Sequence, residues 1–273
     1  MFRFTYFSPT PGCRTPCNFG PVQYGPHLIQ IWRLARKYLL VRYKNSVLGI
    51  FWSLLNPLIL FLIFSFIFGQ AFPNVPNYRL FALSGILLWN FFPGTTLQLI
   101  QVWPDNAPLL RSYPIHPLVF SLAALVSSLS HFFLILIPFT LLMASLGWSP
   151  ALPALALLPG IFLLALFTLG LGLFLGALNV FFRDVALLWN TLIPALFYFT
   201  PVVYPPELVP AHLRSVLWFN PLAWFILPLR GALAEGQWPT QDQWTGMVVL
   251  ALGSCFAGSL FFTRLRRYFI AFL

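Results

Sequence analysis

The stretch that decides the fold is residues 31–57, IWRLARKYLLVRYKNSVLGIFWSLLNP. On a helix of 3.6 residues per turn, Leu28, Ile31, Trp32, Ala35 and Leu39 share one face, and Gln30, Arg33, Arg36, Lys37 and Lys44 share the other. That division predicts an amphipathic helix in a membrane interface, with Lys and Arg toward water and phosphates. Gly49 follows closely, and no Asp, Glu, Lys or Arg occurs between Lys44 and Arg79. The expected order is in-plane helix, sharp turn, membrane span.

Composition carries the same message along the whole chain. Apolar residues make up 59% of the 273 and charged residues 7%, against about 25% charged in soluble proteins. The fold class is therefore all-α integral membrane. The net charge of +10 does not read as a nucleic-acid surface. The basic residues are sparse and sit at the ends of apolar runs, and a basic stripe on a soluble fold is missing.

A span needs about 20 apolar residues. Residues 47–68 and 80–103 each supply one, separated by a loop rich in Pro and Asn. No charged residue lies between Arg111 and Arg183, too long a run for one span, so two are expected, 118–146 and 152–179, joined by a hairpin at Gly147-Trp148-Ser149-Pro150. A fifth follows over 185–203 and a sixth over 244–262. Between them, 213–219 and 222–233 are apolar but too short to cross, which suits two short re-entrant helices. The divisions are a flexible cytosolic tail (1–26), the interface helix (27–46), a six-span transmembrane domain (47–265) and a short cytosolic C-terminus (266–273).

Six spans put both termini on one side, and charge says which. With the N-terminus inside, Arg3, Arg14, Arg33, Arg36, Lys37, Arg42, Lys44, Arg111, Arg183, Arg264, Arg266 and Arg267 face the cytosol, and Arg79, Arg214 and Arg230 face out. Twelve against three is the positive-inside pattern. Residues 1–26 lack the apolar core of a cleavable signal peptide. Cys13 and Cys17 form a lone C-x-x-x-C without the partners a metal site needs, and Cys255 reads as a small core residue. No internal repeat with paired broken spans is evident, which argues against an inverted-repeat transporter.

Arg42-Tyr43-Lys44-Asn45-Ser46-Val47-Leu48-Gly49, Trp52 and Leu55-Asn56-Pro57 resemble the start of the permease subunit of ABC-2-type polysaccharide exporters. These are the ATP-binding-cassette transporters of O-antigen, capsule and teichoic acid. Asn179 to Val185, including Arg183 and Asp184, resembles that family's motif between spans four and five. Thr200-Pro201-Val202-Val203-Tyr204, Asn220-Pro221-Leu222 and Arg230 complete the pattern. The resemblance implies the channel-forming subunit of an exporter in the bacterial inner membrane. It implies a homodimer joined to two copies of a nucleotide-binding ATPase, with a glycan cargo carried on a polyprenyl diphosphate. Membrane lipids are the other partners, and nucleic acid is not one.

The loop 104–117, PDNAPLLRSYPIHP, then corresponds to the family's coupling helix, with Asn106, Leu109, Leu110, Arg111 and Tyr113 as the ATPase-coupling residues. It departs from the family pattern in its extra prolines and single Arg, and a plain connecting turn is the alternative. Arg33, Arg36, Lys37, Arg42 and Lys44 would meet headgroups, the ATPase or the diphosphate. Gly49, Asn56, Pro57, Arg183, Asp184, Asn220 and Pro221 are expected to be structural. Arg42 falls on the apolar face of its helix and needs an anionic partner, for which Asp184 is a candidate.

Catalytic chemistry is poorly supplied. The chain has five acids, none placed in mid-membrane by this topology, and no metal-spaced His cluster, nucleophile elbow or G-x-x-x-x-G-K-[ST] phosphate loop. It is expected to be a transport subunit, not an enzyme, with no cofactor of its own; ATP and Mg would be bound by the partner. His131 is an intramembrane ionisable group and so a functional candidate. The favoured reading is a neutral imidazole bonded to a nearby serine or backbone carbonyl. Most of the 31 Phe pack helices or face lipid, while Tyr198, Phe199 and Tyr204 are candidates to line a path for sugar rings. A drug or lipid exporter of the same architecture remains open, as does a membrane-embedded transferase acting on lipid-linked sugars.

Overall fold

A computed structural model of the chain describes residues 24–44, 51–69, 77–113, 115–149, 151–210, 217 and 219–272. Gly49, Cys13, Cys17 and most of the 213–219 patch lie outside these residues. The described residues are helical, with no strand among them. We number the helices α1 (Tyr24–Tyr43), α2 (Phe51–Phe68), α3 (Tyr78–Asp105), α4 (Ala107–Ser112), α5 (Pro117–Ser145), α6 (Leu157–Phe181), α7 (Asp184–Phe199), α8 (Ala223–Arg230) and α9 (Gln241–Leu265).

The organising helix is α3. Its middle is uncharged and mostly apolar, and α2, α5, α6, α7 and α8 all pack on it. Leu83, Ile86, Leu88 and Trp103 have no exposed surface. Its polar side chains are satisfied within the helix: Ser84, Asn90, Thr95 and Thr96 donate to the carbonyls of Phe81, Ile86, Phe91 and Phe92. Pro93 followed by Gly94 interrupts the ladder near its middle.

Four apolar helices are long enough to cross a membrane: Tyr78–Asp105, Pro117–Ser145, Leu152–Phe181 and Gln241–Tyr268. They coincide with four expected spans. The other two expected spans are shorter. Helix α2 has 18 described residues, about 27 Å at 1.5 Å per residue. Helix α7 has 16 and ends at Phe199, not at residue 203. The cause is Pro201: the residue before a proline is driven out of the helical region, and Thr200 is extended at φ −98°, ψ 128°.

Helices α6 and α9 meet backbone to backbone. A Cβ on Gly170 would overlap the main chain of Ser254 and Cys255, and one on Gly258 would overlap Gly170. Small residues at such crossings let helices approach where lipid supplies no hydrophobic drive. The expected hairpin is present: Gly147 turns at φ 89°, and Trp148 donates from Nε1 to the Leu233 carbonyl at 2.6 Å. The apolar patch 222–233 contains the short helix α8, buried at Ala223, Phe225, Ile226 and Leu229 and continued by a π-helical turn, Gly231–Glu235. At the α4 end of the bundle, Trp103, Phe262 and Phe269 form an aromatic cluster, and Trp103 Nε1 donates to the Pro117 carbonyl at 3.0 Å.

Candidate functional site

Helix α1 follows α5 instead of crossing it. Its first turn sits by the start of α5, where His27 adds to the field on His116. Leu34 and Tyr38 pack in the cluster with Leu109, Leu118 and Leu122. At its far end the Tyr43 hydroxyl lies 2.6 Å from His131 Nδ1. From 27 to 43 and from 116 to 131 the helices rise by similar amounts, roughly 24 and 22 Å, so they run side by side in one direction. Helix α1 therefore packs lengthwise along the first half of α5. Ala35 is buried on the packed side, and Arg33, Arg36, Lys37 and Lys44 are exposed. The apolar stripe is wider than the packed seam, so Leu28 and Trp32 stay 68% and 64% exposed.

Where α1 ends, a cavity of about 390 Å³ opens between α1, α2, α3 and α5. Its polar wall is Arg42, Asn90, Thr95, Ser128 and His131. Gln98 ties this wall together: Oε1 accepts from Arg42 Nη2 at 3.3 Å and from Ser128 Oγ at 3.0 Å. The rest of the lining is largely apolar, with Trp52, Phe91, Phe132 and Phe139. Two expectations are corrected here. Arg42 pairs with Gln98, not Asp184, which is exposed in the first turn of α7. Where a nearby serine or backbone carbonyl was expected, the bond given for His131 among the described residues joins its Nδ1 to the Tyr43 hydroxyl, from another helix.

The loop after α3 is helical over six residues, α4, with Pro108 tolerated in its first turn. Asn106 closes one helix and opens the next: Nδ2 donates to the Val102 carbonyl at 2.7 Å, and its own carbonyl accepts from Leu109 and Leu110. Leu110 points inward at 7% exposure and Leu109 is half-buried, while Arg111 and Tyr113 are exposed. Tyr38 of α1 lies against Asn106, and burial pushes its phenol above the ordinary value.

The remaining expected structural residues divide into two groups. Pro57 is buried within α2; Asn56 also lies in α2, and its side chain is outside the described residues. Asn179 joins three helices, donating to Ile100 of α3 at 3.1 Å and accepting from the Ala186 amide of α7 at 3.2 Å, while the adjacent Arg183 is exposed. The rest surround the extended 200–204 segment. Asn220 donates to Thr200 Oγ1 at 2.8 Å and caps the turn through Pro221 to Leu222. Tyr78 donates to the Val203 carbonyl at 2.8 Å. Arg230, 4% exposed, donates to the Pro201 carbonyl at 2.8 Å with its guanidinium 3.7 Å from the Phe81 ring centre. The segment crosses α3 so closely that a Cβ on Gly85 would overlap the Val202 carbonyl. Tyr198 and Phe199 are exposed on α7; Tyr204 is half-buried and donates to the Tyr198 carbonyl.

Sequence reasoning passed over Tyr43, Asn90, Gly94 and Gln98 as site residues. A signal existed. Asn90, Gly94 and Gln98 are spaced i, i+4, i+8 along one face of an apolar span, and Ser128 and His131 make the matching i, i+3 pair on α5.

Residues 29–234 match the model of the ABC-2 type transporter family. An O-antigen export system permease protein RfbA of Klebsiella pneumoniae is 32% identical over 208 residues, 74% of this chain and 79% of that protein. A second protein of that name from the same organism is 28% identical over 81% of this chain and 87% of its own length. The RfbA permease of Myxococcus xanthus is 28% identical over 86% and 92%. With most of its length matched and its apolar helices gathered round α3, this chain belongs to the ABC-2 type transporter family, a membrane subunit of a transporter.

Proposed function

We propose that the chain is the channel-forming subunit of an ATP-driven exporter that moves a polysaccharide, linked to a polyprenyl diphosphate, out of the cytosol across the bacterial inner membrane. The observation that carries this reading is the similarity to permeases named for O-antigen export, over 79% to 92% of their length. In it, α2 and α7 are the two further spans, α8 is a re-entrant half-helix, and both termini lie in the cytosol.

Three features support the reading. Helix α4 presents Arg111 and Tyr113 outward while Leu110 fastens it to the bundle, as a helix docking in a groove of a separate ATPase requires. That ATPase would bind ATP and Mg. Helix α7 buries no residue within the single chain and exposes Leu187, Leu188 and Leu192 along one side. A second copy of the chain would cover that face, giving a homodimer with the channel between subunits. Tyr198 and Phe199 then stand at its wall.

A mild-detergent pull-down of the tagged chain from native membranes, with mass spectrometry, tests the class. A stoichiometric ATPase carrying a phosphate loop is expected. A chain recovered alone in several detergents with ATP present would move the reading to an ATP-independent protein.

A further inference from the structure

Pro93 stands near the middle of α3 and Pro194 inside α7. Neither has a backbone N–H, so the carbonyls of Trp89 and Asn190 lose their usual intrahelical donors, and each helix is weakened there. The contacts between the two helices put both prolines at one level. On the side away from α4, Trp89 meets Phe197 edge to face, ring centres 5.4 Å apart. On the α4 side, Trp189 donates from Nε1 to Thr96 Oγ1 at 3.0 Å. Nearer still to α4, Asn179 at the end of α6 donates to the Ile100 carbonyl and accepts from the Ala186 amide. The pairs 89 with 197, 96 with 189 and 100 with 186 define an antiparallel register. In it Pro93 falls opposite Ile193, the neighbour of Pro194.

The α4 side of this level is fastened as one body. Gly172 and Gly176 of α6 sit so close to α3 that a Cβ on either would collide with Leu99. Asn106 ties the end of α3 to the start of α4, about 15 Å along the axis from Thr96. Helix α7 is attached more lightly. It buries no residue and offers the core a seam of partly buried side chains, Trp189, Ile193, Leu196 and Phe197. Among the described residues, Trp189 to Thr96 is the one direct side-chain hydrogen bond from α7 to α3. We propose that Pro93 and Pro194 form a single hinge level across the two helices. Thr96 and Trp189 are then positioning residues that carry a displacement of α4 into the adjoining half of α7. The inference rests on the export reading, in which α4 meets the ATPase and α7 lines the channel.

The test uses the full chain purified with its ATPase into nanodiscs, with Cys13, Cys17 and Cys255 replaced by Ser and Leu188→Cys added on the α4-side half of α7. The rate of labelling by a water-soluble fluorescent maleimide is read without nucleotide and with ATP and vanadate. The two rates are expected to differ at least threefold. Thr96→Val, which removes the hydroxyl and keeps the shape, abolishes the difference, and Thr96→Ser restores it. Trp189→Phe, which keeps an aromatic ring against Phe92 and loses the N–H, matches Thr96→Val and stands in for it if that chain does not reach the membrane. In cells both lower glycan export at least fivefold, while the purified complexes still hydrolyse ATP. Thr168→Val loses a threonine bond made within α6 and keeps wild-type behaviour. An ATP-dependent rate that survives Thr96→Val and Trp189→Phe overturns the proposal, as does the same loss in Thr168→Val. A wild-type complex that exports glycan with no ATP-dependent change at residue 188 also overturns it and leaves the export reading standing. A chain that neither exports glycan nor holds an ATPase removes that reading and the proposal with it.

Discussion

The hydroxyl of Tyr43, the last residue of α1, lies 2.6 Å from Nδ1 of His131, halfway along α5. This contact fixes how deep α1 runs and brings Arg42 to the cavity. Tyr43→Phe and His131→Leu are each expected to lower stability by about 1 kcal/mol, the usual net worth of such a bond. The double variant should lose little more than either single one. Thermal unfolding of the purified complex gives the cycle; strict additivity would dissolve the link.

Arg42 offers a second cycle. Arg42→Gln and Gln98→Leu should be non-additive in export activity, because the side chains share a hydrogen bond. Arg42→Gln and Asp184→Ala should be additive, since Asp184 is exposed at the start of α7 and Arg42 bonds elsewhere.

Arg230 holds the 200–204 segment. Arg230→Leu leaves the Pro201 carbonyl unpaired, at about 1–3 kcal/mol, and forfeits the contact with Phe81, about 2 kcal/mol when desolvated. Arg230→Lys should recover only part, because a point charge does not stack on the ring as a planar fork does. Both losses should appear as lower unfolding temperature, Leu more than Lys.

His116 caps α5 by accepting from the Leu118 amide through Nδ1, and its other nitrogen meets Arg266. Burial first, then the charges of Arg266 and His27, hold its pKa below the ordinary 6.5. A depressed histidine contributes stability that is complete above 6.5 and is lost as pH falls from there through the folded value, since the unfolded chain binds the proton first. The unfolding temperature should therefore fall on acidification below 6.5, and His116→Gln should flatten that part of the profile relative to wild type.

On α4 the two sides should separate. Tyr113→Ala and Arg111→Glu alter exposed positions and should leave yield and unfolding temperature unchanged while reducing recovery of the ATPase in the pull-down. Leu110→Ala empties a buried position and should cost about 2–5 kcal/mol of stability. Loss of stability from the exposed pair with full ATPase recovery would reverse the assignment.

Much of this was legible in residue order. The long uncharged runs gave α3, α5, α6 and α9, because nothing but apolar burial competes over twenty or more residues. Asn220, Thr200 and Arg230 could be grouped as one pattern, though the bonds of Asn220 to the Thr200 hydroxyl and of Arg230 to the Pro201 carbonyl are tertiary facts. The end of α7 was missed because Val202 and Val203 continue the apolar run, and Pro201 outweighs them locally. The packing of α1 on α5 was not legible, because amphipathicity shows which side is apolar and not how much of it a neighbouring helix covers. Ala35 and Leu34 are packed, while Leu28 and Trp32 on the same broad stripe are exposed. The partner of Arg42 was misassigned for a related reason: the sequence advertises charges, and a neutral Gln98 answers the same need.

The most direct test of the central claim is to deplete the chain in its native cell and follow the glycan with a sugar label. The account predicts loss of surface polysaccharide together with accumulation of a lipid-linked glycan in the cytosolic leaflet, restored by the wild-type chain and not by Arg111→Glu. Unchanged surface polysaccharide with no intracellular accumulation would contradict it.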